Sequence, residues 1–156
     1  MSDRKFLYSV ERLYPYPVET LWSAWMDDEK LSQWYSPTSL SVAEGTVTSE
    51  QFVGGSWTVG VDVPEYNFVA YFFGSYTKLV QHKLIEHTMN YTQDLGEFKK
   101  RVPSPDEHVV TIDFETAEAG TLVRFSQFGD LPEGEPERAK AGMESYFDNL
   151  ARFLAS

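Results

Sequence analysis

Cysteine is absent from this chain of 156 residues. That excludes disulfides, cysteine-ligated metals and a thiol nucleophile, and it fits a reducing compartment. Basic charge is scarce: 13 Lys and Arg stand against 24 Asp and Glu, for a net charge of −11. A nucleic-acid binder needs a basic face to neutralise phosphates, and Lys99-Lys100-Arg101 is too short a run to supply one. The same sign disfavours an anionic membrane surface.

Long hydrophobic runs are missing too. The apolar segment Phe68–Phe73 is far too short to span a bilayer. Met1-Ser2-Asp3-Arg4-Lys5 leads into only a brief apolar stretch, without the core of a secretion signal. A soluble cytoplasmic protein is the expectation. No phosphate loop occurs, because Gly54-Gly55 lacks a following Lys-Ser/Thr. Internal repeats and low-complexity tracts are absent as well.

Aromatic residues are abundant, at 15%. Phe6–Leu13 alternates as a strand and ends at Tyr14-Pro15-Tyr16-Pro17. Pro17 suits a helix start, and Val18, Leu21, Trp22 and Trp25 recur at helical spacing. Asp27 or Asp28 is placed to cap a second short helix carrying Leu31 and Trp34. Leu40–Ala43 reads as a brief strand. After the Gly54-Gly55 turn, Trp57, Val59 and Val61 alternate with small or polar residues, the pattern of a half-buried strand.

Tyr66–Phe73 and Leu79–Thr88 read as further strands, with Gly74 a bulge or a close approach between chains. Residues 92–107, polar and holding Pro103 and Pro105, read as a long hairpin loop. Val110, Ile112 and Phe114, then Gly120, then Thr121–Phe128 make a hairpin. From Glu135, the residues Met143, Phe147, Leu150 and Leu154 form one apolar stripe of a long C-terminal helix. Strands flanked by helices argue for an α+β fold with an antiparallel sheet.

The aromatic excess permits a pocket between sheet and helix, or a filled core. Residues 1–156 are expected to form one domain whose cavity lining comprises Trp22, Trp34, Trp57, Val59, Phe68, Phe72, Tyr76, His82, Ile112, Phe114, Phe125, Gln127, Met143, Tyr146, Phe147 and Leu150. Among them Gln127 and His82, with Thr121, are polar groups able to orient a ligand, or to find ordinary backbone partners. On a strand His82 and Glu86 share a face while His87 points away, so a metal site is not expected. His108 is placed across a hairpin from His87. Asp113, Glu115 and Glu118 read as a solvated face. No catalytic residue and no cofactor are expected. Tyr71 and Phe73, facing outward, are candidates for a homodimer surface.

Several short motifs resemble, in order, those of START-like domains, and best the family of activators of the 90 kDa heat-shock chaperone ATPase. They are Tyr16-Pro17-Val18-Glu19-Thr20-Leu21-Trp22, Asp28–Trp34, Gly54-Gly55-Ser56-Trp57, Gly74-Ser75-Tyr76, Gly120-Thr121, and Gly142-Met143 with Asn149-Leu150. Met143 stands where such relatives usually have Trp, and residues 92–107 lack their acidic-Gly-Arg segment. The resemblance implies a helix-grip fold: a curved antiparallel sheet wrapped around a long C-terminal helix, ordered β-α-α, then five or six strands, then α. The aromatic excess and the strand alternation point to a non-enzymatic module with an interior apolar cavity, binding a small hydrophobic molecule, lipid-like or aromatic. The resemblance implies the alternative, a partner of the 90 kDa heat-shock chaperone, and a cyclase- or hydrolase-like enzyme using the cavity is a further one.

Overall fold

The computed structural model describes residues 4–156. Met1–Asp3, which the reading of the N-terminus used, lie outside the described residues. Strand β1 (Lys5–Tyr14) leads through Pro15–Pro17 into helices α1 (Val18–Met26) and α2 (Asp28–Trp34). The Asp27 carboxylate accepts hydrogen bonds from the backbone N–H groups of Glu29 (3.0 Å) and Lys30 (3.3 Å), which starts α2. Strands β2 (Ser41–Val42), β3 (Thr48–Ser49), β4 (Ser56–Val63), β5 (Phe68–Val80) and β6 (Leu84–Thr92) follow. Helix α3 (Leu95–Lys100), strands β7 (His108–Ala117) and β8 (Gly120–Gly129), and helix α4 (Glu135–Ala155) complete the chain.

Every strand pairing is antiparallel, in the order β1-β8-β7-β6-β5-β4-β2, with β3 also on β4. The sheet curls into a half-barrel, and the fold is the α+β helix-grip expected from the motifs. Among the described residues no helix is long and apolar enough to cross a membrane.

Three local expectations are corrected. The chain does not run as one strand from Leu79 to Thr88. Leu79 and Val80 end β5, Gln81–Lys83 turn, and β6 starts at Leu84. His82 sits in that turn with φ 64°, so it shares no strand face with Glu86. The polar trio Gln81-His82-Lys83 was the local sign of the turn.

The 92–107 connection is not all loop. Asp94 caps α3 by accepting from the N–H groups of Gly96 (2.7 Å) and Glu97 (3.2 Å). With only Leu95 and Phe98 apolar, α3 shows too little periodicity to stand out. Finally, His108 pairs in register with Met89, while His87 faces Val110.

Gly74 is a close approach. A Cβ there would lie 2.0 Å from the carbonyl oxygen of Thr88 on β6, so only glycine fits without moving backbone. The register shift in this hairpin falls further on, between Tyr76 and Lys78.

The outward rings Tyr71 and Phe73 are not a bare surface. Helix α3 lays Phe98 over them, with ring centroids 4.4 Å from Tyr71 and 6.4 Å from Phe73. Phe73 and Phe98 are both buried. The motive for a dimer face at these residues is removed by an intramolecular cover.

Candidate functional site

The C-terminal half of α4 is pinned hard. Met143, Phe147 and Leu150 are buried. The Tyr14 hydroxyl donates to the Phe147 carbonyl at 2.9 Å, and Asn149 Nδ2 donates to the Trp34 carbonyl at 2.9 Å. The Thr38 N–H donates to Ser145 Oγ at 2.9 Å. Arg12 on β1 grips Asp148 at 2.6 Å and Glu144 at 3.0 Å. These anchors lie at or beyond Met143. The earlier turns instead present Ala139 and Gly142 to the sheet, and small side chains leave a gap that large ones would fill.

That gap is a cleft of about 250 Å³ between α4 and the sheet. Tyr8, Phe72, Met89 and Phe125 form its sheet wall, Ala139, Gly142, Met143 and Tyr146 its helix wall, and Tyr35 and Gln127 complete the lining. It adjoins a more polar space of about 500 Å³ toward Asn90, His108, Glu135 and Arg138, sharing Met89, Gln127 and Ala139 with it. The inner part is apolar and the outer part mixed, as in pockets for small amphipathic molecules.

Gln127 is the buried polar centre. The Tyr8 hydroxyl donates to its Oε1 at 2.6 Å, and its Nε2 lies 2.7 Å from His108 Nδ1. An amide nitrogen only donates, so His108 Nδ1 is the acceptor in this arrangement. Burial, followed by the neighbouring Tyr146, raises the Tyr8 phenol above its ordinary range, so it stays protonated and able to donate. Burial raises Tyr146 and Tyr35 in the same way.

Of the residues expected to line a cavity, the structure brings Phe72, Phe125, Gln127, Met143 and Tyr146 together at this cleft. Trp57, Val59, Tyr76 and Ile112 surround a separate interior void of about 20 Å³. Trp34, Phe114, Phe147 and Leu150 are packed core, and the Trp34 indole N–H donates to the Ala24 carbonyl at 2.9 Å. Trp22 packs edge-on against Phe114 (5.4 Å) and His82 (5.9 Å). Phe68 is half-buried against the core. His82 therefore belongs to a hairpin turn beside α1. Thr121 has a backbone partner, donating to the Tyr16 carbonyl at 2.9 Å.

The ring partner of Trp57 is His87, with centroids 4.3 Å apart. Among the rings that meet α4 are Trp25 (6.2 Å from Phe147, and stacked 6.2 Å from Phe125), Tyr14 (6.2 Å from Phe147) and Tyr35 (5.0 Å from Tyr146).

Sequence reading missed Tyr8, Tyr35, Met89, Ala139 and Gly142 as lining. Tyr8 was legible in part, since it alternates inward with Val10 on β1. Ala139 and Gly142 carried no signal, because a cavity wall is marked by what is small and the apolar stripe by what is large.

A family model described as Activator of Hsp90 ATPase homolog 1-like protein matches residues 15–155. No curated protein matches the sequence. Among solved structures, a Chromobacterium violaceum protein superposes with a TM-score of 0.77 at 19% identity, over 93% of this chain and 94% of that one. A protein from Silicibacter pomeroyi bearing the same family name gives 0.76 at 21% identity, over 95% and 96%. A Nitrosomonas europaea protein gives 0.75 at 18%, over 95% and 93%. Identities this low speak for a common fold and for nothing finer.

Proposed function

The chain belongs to the Activator of Hsp90 ATPase homolog 1-like family, and from that premise we propose that it is a binding module holding a small, largely apolar molecule beneath the N-terminal half of α4. The observation that carries this reading is the apolar cleft of about 250 Å³ with Gln127 as its buried polar centre. With the adjoining space it falls in the size range of small-molecule sites. A filled core would have placed large side chains at Ala139 and Gly142. The Tyr8–Gln127–His108 chain gives a ligand's polar end an amide to meet, while the rings and Met143 meet its body.

The test is a thermal-shift and native mass-spectrometry screen against lipids and aromatic polyketides, using the unaltered protein and Ala139→Trp. A ligand at a hundred times its Kd stabilises by about 2.7 kcal/mol. Stabilisation of the unaltered protein and its loss in Ala139→Trp is the expected result. A flat response to the whole panel, with no bound mass, overturns the reading.

The family description favours a second reading, a partner of the 90 kDa heat-shock chaperone. Pull-down with the host's chaperone, together with its ATPase rate, tests it. No association and no rate change would end it.

A further inference from the structure

Two hydroxyls at the cleft have no partner. Tyr8 donates to Gln127 and Tyr14 to the Phe147 carbonyl, but the Tyr35 and Tyr146 hydroxyls make no hydrogen bond among the described residues. The unpartnered side-chain atom that is sealed from any water-sized contact is Trp25 Nε1. The two hydroxyls are not sealed in that way, so each keeps surface facing open space. Tyr35 is 6% exposed, so its open space is interior. It lines the cleft and also borders the small void, while Tyr146 lines the cleft from α4.

The two rings meet edge to face, with centroids 5.0 Å apart. Burial, then Tyr146, Tyr8 and Tyr76, hold the Tyr35 phenol well above its ordinary range, and burial, then Tyr146, raises Tyr8. Charge effects of this kind act at short range, so the Tyr146 hydroxyl lies near both. Tyr35 and Tyr146 stay protonated, and each has a proton to give. Buried polar groups are normally paired. A carbonyl oxygen offers two lone pairs and no proton of its own, the complement of two hydroxyls each short of an acceptor. Among the described residues no charged side chain lines the cleft. A carboxylate would therefore enter an apolar space without a counter-ion, at high cost.

We propose that Tyr35 and Tyr146 form a polar subsite of the cleft, donating together to one uncharged carbonyl oxygen, of a ketone, ester or amide, on an otherwise apolar ligand. The assignment rests on the binding reading above and narrows its ligand class. The body of such a ligand lies against Phe72, Met89, Phe125 and Met143, and its carbonyl turns toward the two phenols.

The test uses the full chain and two matched probe sets: methyl naphthyl ketone, ethylnaphthalene and naphthoate, then methyl nonyl ketone, undecane and undecanoate. Native mass spectrometry and calorimetry rank them. In at least one set the ketone should bind more tightly than its hydrocarbon, and the carboxylate most weakly. Tyr35→Phe and Tyr146→Phe should each weaken the ketone about fivefold, the net worth of one hydrogen bond, and leave the hydrocarbon unchanged. The stretching frequency of an isotope-labelled ketone carbonyl should fall on binding and recover in both variants. Equal binding of ketone and hydrocarbon, tighter binding of the carboxylate, or ketone affinity untouched by both substitutions would overturn the proposal and leave the cleft reading standing. No binding by any probe would remove both. The ranking uses the unaltered protein and survives if a variant fails to fold.

Discussion

The Tyr8 hydroxyl donates to Gln127 Oε1 at 2.6 Å, joining the inward faces of β1 and β8 at the floor of the cleft. Gln127→Leu removes the acceptor for Tyr8 and the donor for His108 together. Buried groups left unpaired in this way cost about 1–3 kcal/mol, so urea unfolding should show a loss of that order. Any ligand found in the screen should lose affinity beyond what the altered stability explains, measured at a temperature where the variant is fully folded. Equal ligand affinity would remove Gln127 from the site.

Acid should destabilise this protein through His87. Burial pushes its imidazole down to about 4 from the ordinary 6.5, with the Thr88 hydrogen bond opposing in part. Between those values the unfolded chain binds a proton that the folded one refuses, so stability falls as pH drops from about 6.5 to about 4. At 1.36 kcal/mol per pKa unit the loss is about 3 kcal/mol. Denaturant midpoints measured across this window should show the slope, and His87→Phe should flatten it.

Gly74→Ala places a methyl group against the Thr88 backbone, and that carbonyl cannot rotate away like a side chain. The β5–β6 hairpin has to deform, at a cost of about 3 kcal/mol, the upper range for overpacking. Thermal unfolding measures it. A midpoint within a degree of the parent protein would mean the strands are further apart than described.

Phe98→Ala uncovers Tyr71 and Phe73 on the outer face of the sheet. Phe98 is 7% exposed, and truncating a buried Phe costs about 3–5 kcal/mol. Because α3 is short and peripheral, much of this should appear as local opening. Hydrogen exchange should quicken at residues 95–100 and in the middle of β5, with β1, β7 and β8 unchanged. Dye binding to newly exposed apolar surface should rise.

Much of the fold was written locally. Alternation in Trp57–Val61 and Val110–Phe114, the Asp27 cap, the Pro17 start and the Met143-Phe147-Leu150 stripe each depend on neighbours a few residues away, and each formed the element it signalled. The Trp57–Val61 strand is nonetheless buried on both faces, not half-buried as its alternation suggested, with Thr58 donating to the Thr46 carbonyl at 2.7 Å. Helix α3 was hidden because two apolar residues in six make no period. The β5–β6 turn was hidden because apolar residues flank it on both sides, so the turn interrupted a pattern without ending it.

The division of the aromatic residues between core and cleft was not written locally. Trp34 and Phe147 vanish into the interior while Phe72 and Tyr146 line open space, although all four are large apolar rings in regular elements. What separates them is where α4 is anchored: Tyr14, Thr38 and Trp34 hold its later turns from more than a hundred residues away. Periodicity tells a side chain which face of its own element it occupies. Whether another element reaches that face depends on distances between elements, and those are fixed only when the chain is folded.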